Sequence, residues 1–188
     1  DSPKALRALD AQLLPALCAE LREEIISVCG KVGGHLGASL GAVELIVALH
    51  RAFKSPTDRL VFDVGHQAYA HKILTGRRER LFTLRQAGGL APFLDPAESP
   101  HDAVGAGHAC TALSAALGIL EGKRHQHQPG EVVAVVGDGA LTGGLTFEAL
   151  NNAGASRRPI KLVLNDNGMS ISKNVGAVET MLRQGPRP

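Results

Sequence analysis

The sequence has few aromatic residues, little net charge and no long apolar run. It contains no Trp, one Tyr and five Phe, and its net charge is +2 over 188 residues. A charge this small does not favour nucleic acid or an anionic membrane as a partner. The densest apolar stretch, residues 132–136, is far too short to span a bilayer, and residues 1–10 lack the apolar core of a signal peptide.

Cysteines are scarce too. The three thiols, Cys18, Cys29 and Cys110, are odd in number and show no zinc-site spacing. They indicate reduced thiols in a cytoplasmic protein.

Glycine, in contrast, is abundant, with 22 residues. The order of apolar runs and helical spacing along the chain predicts an α/β protein. Residues 132–136 and 160–164 are predicted strands, and residues 145–153 are a predicted helix between them. A strand, a helix and a strand in so short a segment indicate a parallel βαβ unit. We therefore expect one domain over residues 1–188, with an open, mainly parallel sheet and helices on both faces.

Upstream of this unit the pattern predicts mostly helices. Helical spacing predicts helices over residues 13–28 and 40–53, with Ser39 as the cap of the second. A short buried strand over 60–62 and a helix over 66–74 follow, and residues 90–107 are predicted to form an ordered loop.

Polar residues follow both strands of the βαβ unit. Gly137-Asp138-Gly139 comes after the first strand, and Asn165-Asp166-Asn167 comes after the second. Parallel strands end at the same sheet edge, so Asp138 and Asn167 are expected to converge there. Carboxylate and amide oxygens suit Mg²⁺, and glycine-flanked backbone N–H groups suit a phosphate. The alternative interpretation of the first triplet is an ordinary turn.

This pair of triplets resembles the signature of thiamine-diphosphate enzymes. The resemblance implies that Asp138, Asn167 and the carbonyl of Met169 bind Mg²⁺. Residues 33–41 (GGHLGASLG), 63–78 (DVGHQAYAHKILTGRR), 137–144 (GDGALTGG) and 165–172 (NDNGMSIS) are similar to the 1-deoxy-D-xylulose-5-phosphate synthase family. The resemblance covers roughly residues 21–178, and it implies the thiamine-diphosphate-binding fold.

The family resemblance also implies an activity. It is the condensation of pyruvate with D-glyceraldehyde 3-phosphate to 1-deoxy-D-xylulose 5-phosphate with loss of CO₂, in non-mevalonate isoprenoid and thiamine biosynthesis. A homodimer is implied for the full-length enzyme, and neither nucleic acid nor a membrane is an expected partner. Besides Asn167, the residues implied to contact thiamine diphosphate are His66, Gly107, His108, Ala109, Gly139 and Ala140, and His35 is implied to face its thiazolium ring.

Histidine chemistry agrees with two of these roles. The predicted catalytic residue His35 lies in a glycine-rich loop, and the other, His66, lies at a strand-to-helix turn. Imidazoles can transfer protons near pH 7. The alternative for each is a structural hydrogen bond. His71 and the four other histidines outside the motifs are interpreted as structural or solvated, and Arg77-Arg78 is interpreted as a solvated pair.

Some family features are missing from the chain. Ala109 and Cys110 stand where the family usually has serines, which removes two hydroxyl donors. The glutamate that activates thiamine and the arginines that bind substrate phosphate are implied to lie in a pyrimidine-binding domain beyond residue 188. The end of the sequence, residues 183–188, is interpreted as an unfinished loop. We therefore expect the chain to be part of a longer enzyme, and we expect the isolated chain to be inactive. Two alternatives stay open: a split transketolase-like subunit and a non-catalytic, degenerate binding module.

Overall fold

The computed structural model describes residues 2–168 and 172–184. The chain divides into two compact units, unit 1 (Asp1–Arg59 and Gly65–Gly107) and unit 2 (Leu60–Val64 and His108–Pro188). The strands are β1 (Arg59–Phe62), β2 (Val132–Gly137) and β3 (Lys161–Asn165). The α-helices are α1 (Pro3–Ala8), α2 (Leu14–Val32), α3 (Leu36–Gly41), α4 (Val43–Ala52), α5 (Tyr69–Lys72), α6 (Ala112–His125), α7 (Asp138–Leu141), α8 (Gly144–Ser156) and α9 (Ala177–Gln184).

Unit 1 is a helical layer built around α2. Leu21, Ile25 and Val28 recur at helical spacing and are buried, and α2 packs on α3 and α4. Gly33 ends α2 in a backbone conformation with φ +76°, which favours glycine. The helix predicted over 13–28 is therefore confirmed and runs on to Val32. None of the described helices is both long enough and apolar enough to cross a membrane.

Unit 2 contains the three-stranded parallel sheet, in the order β1-β2-β3. All five apolar residues of β2 from Val132 to Val136 are at most 1% exposed, because β2 lies between two strands and α6 packs on it. The predicted α/β class and βαβ unit are confirmed. On β3, Leu162 and Leu164 remain 39% and 37% exposed, since the strand lies at the edge of the described sheet.

Two local predictions were wrong. Ser39 does not cap the helix predicted over 40–53, because it lies inside α3 and its hydroxyl donates to the His66 carbonyl oxygen at 3.1 Å. The helix predicted over 66–74 begins later, at Tyr69, and continues through a π-helical turn (Ile73–Arg77) into a 3₁₀ helix (Arg78–Thr83). Between that helix and α6, residues 90–107 form neither helix nor strand, as predicted.

Candidate functional site

The two predicted catalytic histidines lie together in unit 1. The rings of His35 and His66 meet edge to face, with 5.9 Å between centroids. Tyr69 holds the turn before His35, because its hydroxyl oxygen accepts the His35 backbone N–H at 3.1 Å. A side chain at Gly34 would bring a Cβ within 2.7 Å of that same oxygen. The glycine pair that ends α2 therefore lets the chain pass closely over Tyr69 and delivers His35 beside His66.

The environment of His35 keeps its imidazole neutral. Burial lowers the pKa of His35 below its ordinary value, and the positive charge of Arg85 lowers it further. Phe93 covers the ring at 5.3 Å between centroids. Within residues 2–168 and 172–184, no group is in hydrogen-bonding range of the buried His35 Nδ1. A buried polar atom of this kind is suited to a polar contact with a ligand.

In unit 2 the strand register brings acidic side chains together. Gly137 on β2 pairs with Asn165 on β3, so Asp138 and Asp166 both follow the last paired position. Asp138 is 4% exposed. Burial raises its pKa above the ordinary value, and the neighbouring Asp166 carboxyl raises it further. Two carboxyl groups this close are stabilised by a cation, which is the chemistry predicted for this sheet edge.

The other predicted Mg²⁺ ligands lie just after β3. Asn167 is exposed two residues beyond the strand, and Met169 lies outside the described residues. Sequence reasoning missed Asn174, a buried residue whose amide donates to Asp138 Oδ2 at 2.6 Å. No signal in its local sequence distinguishes it, because the contact depends on how the segment after β3 returns to β2.

Asp63 is a second residue that sequence reasoning missed. This carboxylate is 1% exposed at the end of β1. It accepts the backbone N–H of Cys110 at 2.8 Å and that of Ala112 at 3.0 Å. Thr111, the residue before α6, makes no capping bond with its side chain. Asp63, which directly follows β1, therefore caps the N-terminus of α6 and fixes the segment that contains His108 and Ala109. The sequence signal that could have identified Asp63 is its position as an acidic residue directly after a buried strand.

The predicted diphosphate-lining residues occupy two loops and a helix start. Gly107 of unit 1 has φ +134°, and its missing side chain leaves room for the Phe93 ring. In unit 2, His108 and Ala109 are exposed, and Gly139 and Ala140 are partly buried. The Cys110 thiol, in place of a hydroxyl, donates to the Ala140 carbonyl oxygen at 3.3 Å. The thiol is thus directed at α7. Its sulfur atom lies only 2.1 Å from the position that a Cβ atom at Gly143 would occupy.

Arg77 departs from its predicted role. It is 4% exposed, and its guanidinium makes two hydrogen bonds to the Asp102 carboxylate, of 2.7 and 2.8 Å. The prediction of a solvated pair was wrong for Arg77, whereas Arg78 is exposed and pairs with Glu24. His71 and His50 belong to the same buried cluster in unit 1, as structural residues.

Comparison with known proteins identifies the family. The family model described as 1-deoxy-D-xylulose-5-phosphate synthase, an N-terminal model, matches residues 1–186. The chain belongs to the 1-deoxy-D-xylulose-5-phosphate synthase family. Synthases of that name are 72% identical in Myxococcus xanthus, 65% identical in an Anaeromyxobacter species and 52% identical in Rhodobacter capsulatus, over 97%, 95% and 98% of this chain.

The chain spans 31%, 28% and 29% of the length of these three synthases. A transketolase from Leishmania mexicana has a similar fold, with a TM-score of 0.73 at 19% identity. That similarity covers 87% of this chain and 28% of the transketolase. At this identity it shows the fold alone.

Thiamine diphosphate and Mg²⁺, the groups implied for 1-deoxy-D-xylulose-5-phosphate synthases, fit the residues present. Asp138 and Asn167 supply a carboxylate and an amide oxygen, which are hard ligands of the kind Mg²⁺ prefers. Burial, and after it the neighbouring Asp166 carboxyl, raises the pKa of Asp138, and a bound cation would offset both effects. No cluster of three or more His, Cys, Asp or Glu side chains arranged for a metal occurs in the part of the chain that the structure describes. The predicted set, with one carboxylate, one amide and one carbonyl, does not require such a cluster.

Proposed function

We propose that this chain binds Mg²⁺ and the diphosphate of thiamine diphosphate as part of a 1-deoxy-D-xylulose-5-phosphate synthase. The observation that carries the proposal is the pair of acids at adjacent ends of parallel strands, a buried Asp138 beside an exposed Asp166, which favours a divalent cation. The longer enzyme would condense pyruvate with D-glyceraldehyde 3-phosphate and release CO₂. The close relatives named for this reaction support that assignment.

Within unit 2 each element has a proposed task. Asp138, Asn167 and the carbonyl of Met169 would hold the metal, whose charge would offset that of the diphosphate. Asp63 fixes the backbone of the segment that begins α6, so that its loop does not have to be ordered when the cofactor binds. The residues proposed to line the diphosphate in this unit are His108, Ala109, Gly139 and Ala140.

In unit 1 the proposed tasks are positioning and proton transfer, and Gly107 is proposed to contact the diphosphate. Bound thiamine diphosphate would supply the carbon nucleophile of the reaction. His35 and His66 are proposed to act on the oxygen atoms of the reacting groups, His66 also contacting the cofactor. With its pKa lowered, His35 is neutral at pH 7 and can donate or accept a proton at an alkoxide or carboxylate.

Catalysis is proposed to need more than this chain. The activating glutamate and the arginines for substrate phosphate are predicted in the part of the relatives that this chain does not span. The full-length enzyme is proposed to be a cytoplasmic homodimer.

Calorimetric titration with thiamine diphosphate in the presence of Mg²⁺ tests the proposal. The chain is expected to bind in a Mg²⁺-dependent way, and Asp138→Ala is expected to abolish that binding. Glu148→Ala is the matched control, because Glu148 is an exposed acid on α8 of the same unit. Unchanged affinity in Asp138→Ala would overturn the metal assignment. Absence of binding by the unmodified chain would favour a degenerate module, and turnover restored by a separate pyrimidine-binding chain would favour a split enzyme.

A further inference from the structure

Phe93 is the apolar neighbour of His35 in unit 1. The two rings are tilted by 32° with centroids 5.3 Å apart. Phe93 also lies over the backbone of Gly107, where an added Cβ would be 3.4 Å from its ring. An aromatic ring packed on an imidazole restricts rotation of the imidazole and excludes water from one of its faces. Phe93 is therefore one of the side chains that restrict the orientation of the His35 ring.

Two carboxylates hold the backbone on either side of Phe93. Glu98 Oε1 accepts the backbone N–H of Ala91 at 2.5 Å, two residues before the ring. Asp102 Oδ2 accepts the backbone N–H of Asp95 at 3.0 Å, two residues after it. The five-residue segment around Phe93 is thus bound at both ends, although it forms neither helix nor strand.

Buried cations hold the same two carboxylates from the other side. Lys72 Nζ lies 2.6 Å from Glu98 Oε2, and the lysine is 0% exposed. Arg77 binds Asp102 through two nitrogen atoms and lies 3.1 Å from Glu98. Asp102 also accepts a hydrogen bond from His71 Nε2 at 3.0 Å. Charged hydrogen bonds made away from water hold their partners in defined positions more firmly than exposed ones do.

We propose that Glu98 and Asp102 are positioning residues that orient His35 through Phe93. The inference rests on the proposed function only in giving His35 a part in proton transfer. The charged network explains why an irregular loop can hold an aromatic ring against a histidine at a fixed angle. The other groups that face His35 are His66, Tyr69 and the cation of Arg85.

The titration of the His35 ring, measured by NMR on the ¹⁵N-labelled chain, tests the inference. The signal is assigned with His35→Gln. Phe93→Leu keeps an apolar side chain and removes the aromatic face, so the midpoint of His35 is expected to rise toward about 6.5. Phe82→Leu is the matched control, because Phe82 is a 39% exposed phenylalanine of the same unit, and it is expected to leave the midpoint unchanged.

A second pair of variants separates the backbone bond from the ion pair. Lys72→Met removes the buried cation but leaves Glu98 bound to Arg77 and to Ala91 N–H, so His35 is expected to titrate as in the unmodified chain. Lys72→Met with Glu98→Leu replaces the ion pair by apolar groups, a change that folded proteins often tolerate, and removes the acceptor for Ala91. The double variant is expected to shift His35 upward, as Phe93→Leu does.

An unchanged His35 midpoint in either Phe93→Leu or the folded double variant would overturn the inference. Folding is monitored by the fluorescence of Tyr69, the one tyrosine of the chain, which is buried in unit 1. If the double variant does not fold, an unchanged midpoint in Phe93→Leu still overturns the inference. The measurement needs no cofactor, so it can fail or succeed independently of the calorimetric test of cofactor binding.

Discussion

Acidification is expected to destabilise unit 1 through His50. The ring is 0% exposed and shares a 2.9 Å hydrogen bond with His71 Nδ1. His71 donates its other N–H to Asp102, so His71 Nδ1 is an acceptor and His50 donates to it from Nε2. Burial, with smaller contributions from the neighbouring His71, His101 and Arg7, lowers the pKa of His50 from 6.5 to about 2. His50 is therefore neutral in the folded state at any pH above that value.

The size of the effect follows from the difference between the folded and unfolded states. Below pH 6.5 an unfolded His50 takes up a proton and the folded one does not, so the free energy of unfolding falls as the pH falls. Between pH 7.5 and 5.5 the expected loss from His50 is about 1.4 kcal/mol, and it continues at about that amount per pH unit toward pH 2. Asp102, with a lowered pKa, adds a loss only below the unfolded value of about 4.

Urea denaturation at pH 7.5, 6.5 and 5.5, followed by Tyr69 fluorescence, measures this dependence in unit 1. In His50→Gln the amide can still donate to His71 but cannot titrate. The loss of stability between pH 7.5 and 5.5 is expected to be about 1.4 kcal/mol smaller in this variant than in the unmodified chain. His125→Gln, at an exposed position of α6, is the control and should not alter it. An equal pH dependence of His50→Gln and the unmodified chain would refute the reasoning.

Three further predictions concern unit 2 and the whole chain. Asp63→Ala should cost about 1–2 kcal/mol of stability in urea denaturation, because it removes the cap of α6; an unchanged midpoint would contradict this. Gly143→Ala should cost about 1–3 kcal/mol through collision with the Cys110 thiol, and adding Cys110→Gly should recover most of it; no recovery would place the strain elsewhere. The isolated chain should release no CO₂ from pyruvate, and release at the rate of a complete synthase would disprove its proposed dependence on further domains.

Much of the fold could be predicted from local pattern. An unbroken apolar run predicts a buried strand, and β2 is one. Helical spacing likewise predicted α2, although Gly30 lies inside the helix and Gly33 ends it, because only Gly33 needs a positive φ. Ser39 shows the limit of this reasoning. Its sequence suits a helix cap, but its hydroxyl bonds to a residue 27 positions away.

The candidate site likewise contains contacts that the sequence predicted and contacts that it could not predict. The strand register that brings Asp138 beside Asp166 follows from a short βαβ connection, so the sequence predicted the meeting point. The amide of Asn174 comes from 36 residues beyond Asp138, and nothing in its neighbours indicates the contact. A single domain over residues 1–188 was predicted, and it stays a prediction. The structure divides the chain into two compact units.

The family, the α/β class and the strand-end position of the acidic residues could be predicted directly, because they depend on residue types at short spacing. Which charged side chains are buried depends instead on contacts made in the folded chain. Arg77 stands beside Arg78 in the sequence and differs from it in nothing local, yet Asp102, 25 residues away, binds Arg77 in the interior. A buried charge needs a partner, and distant partners meet only when the intervening chain has folded.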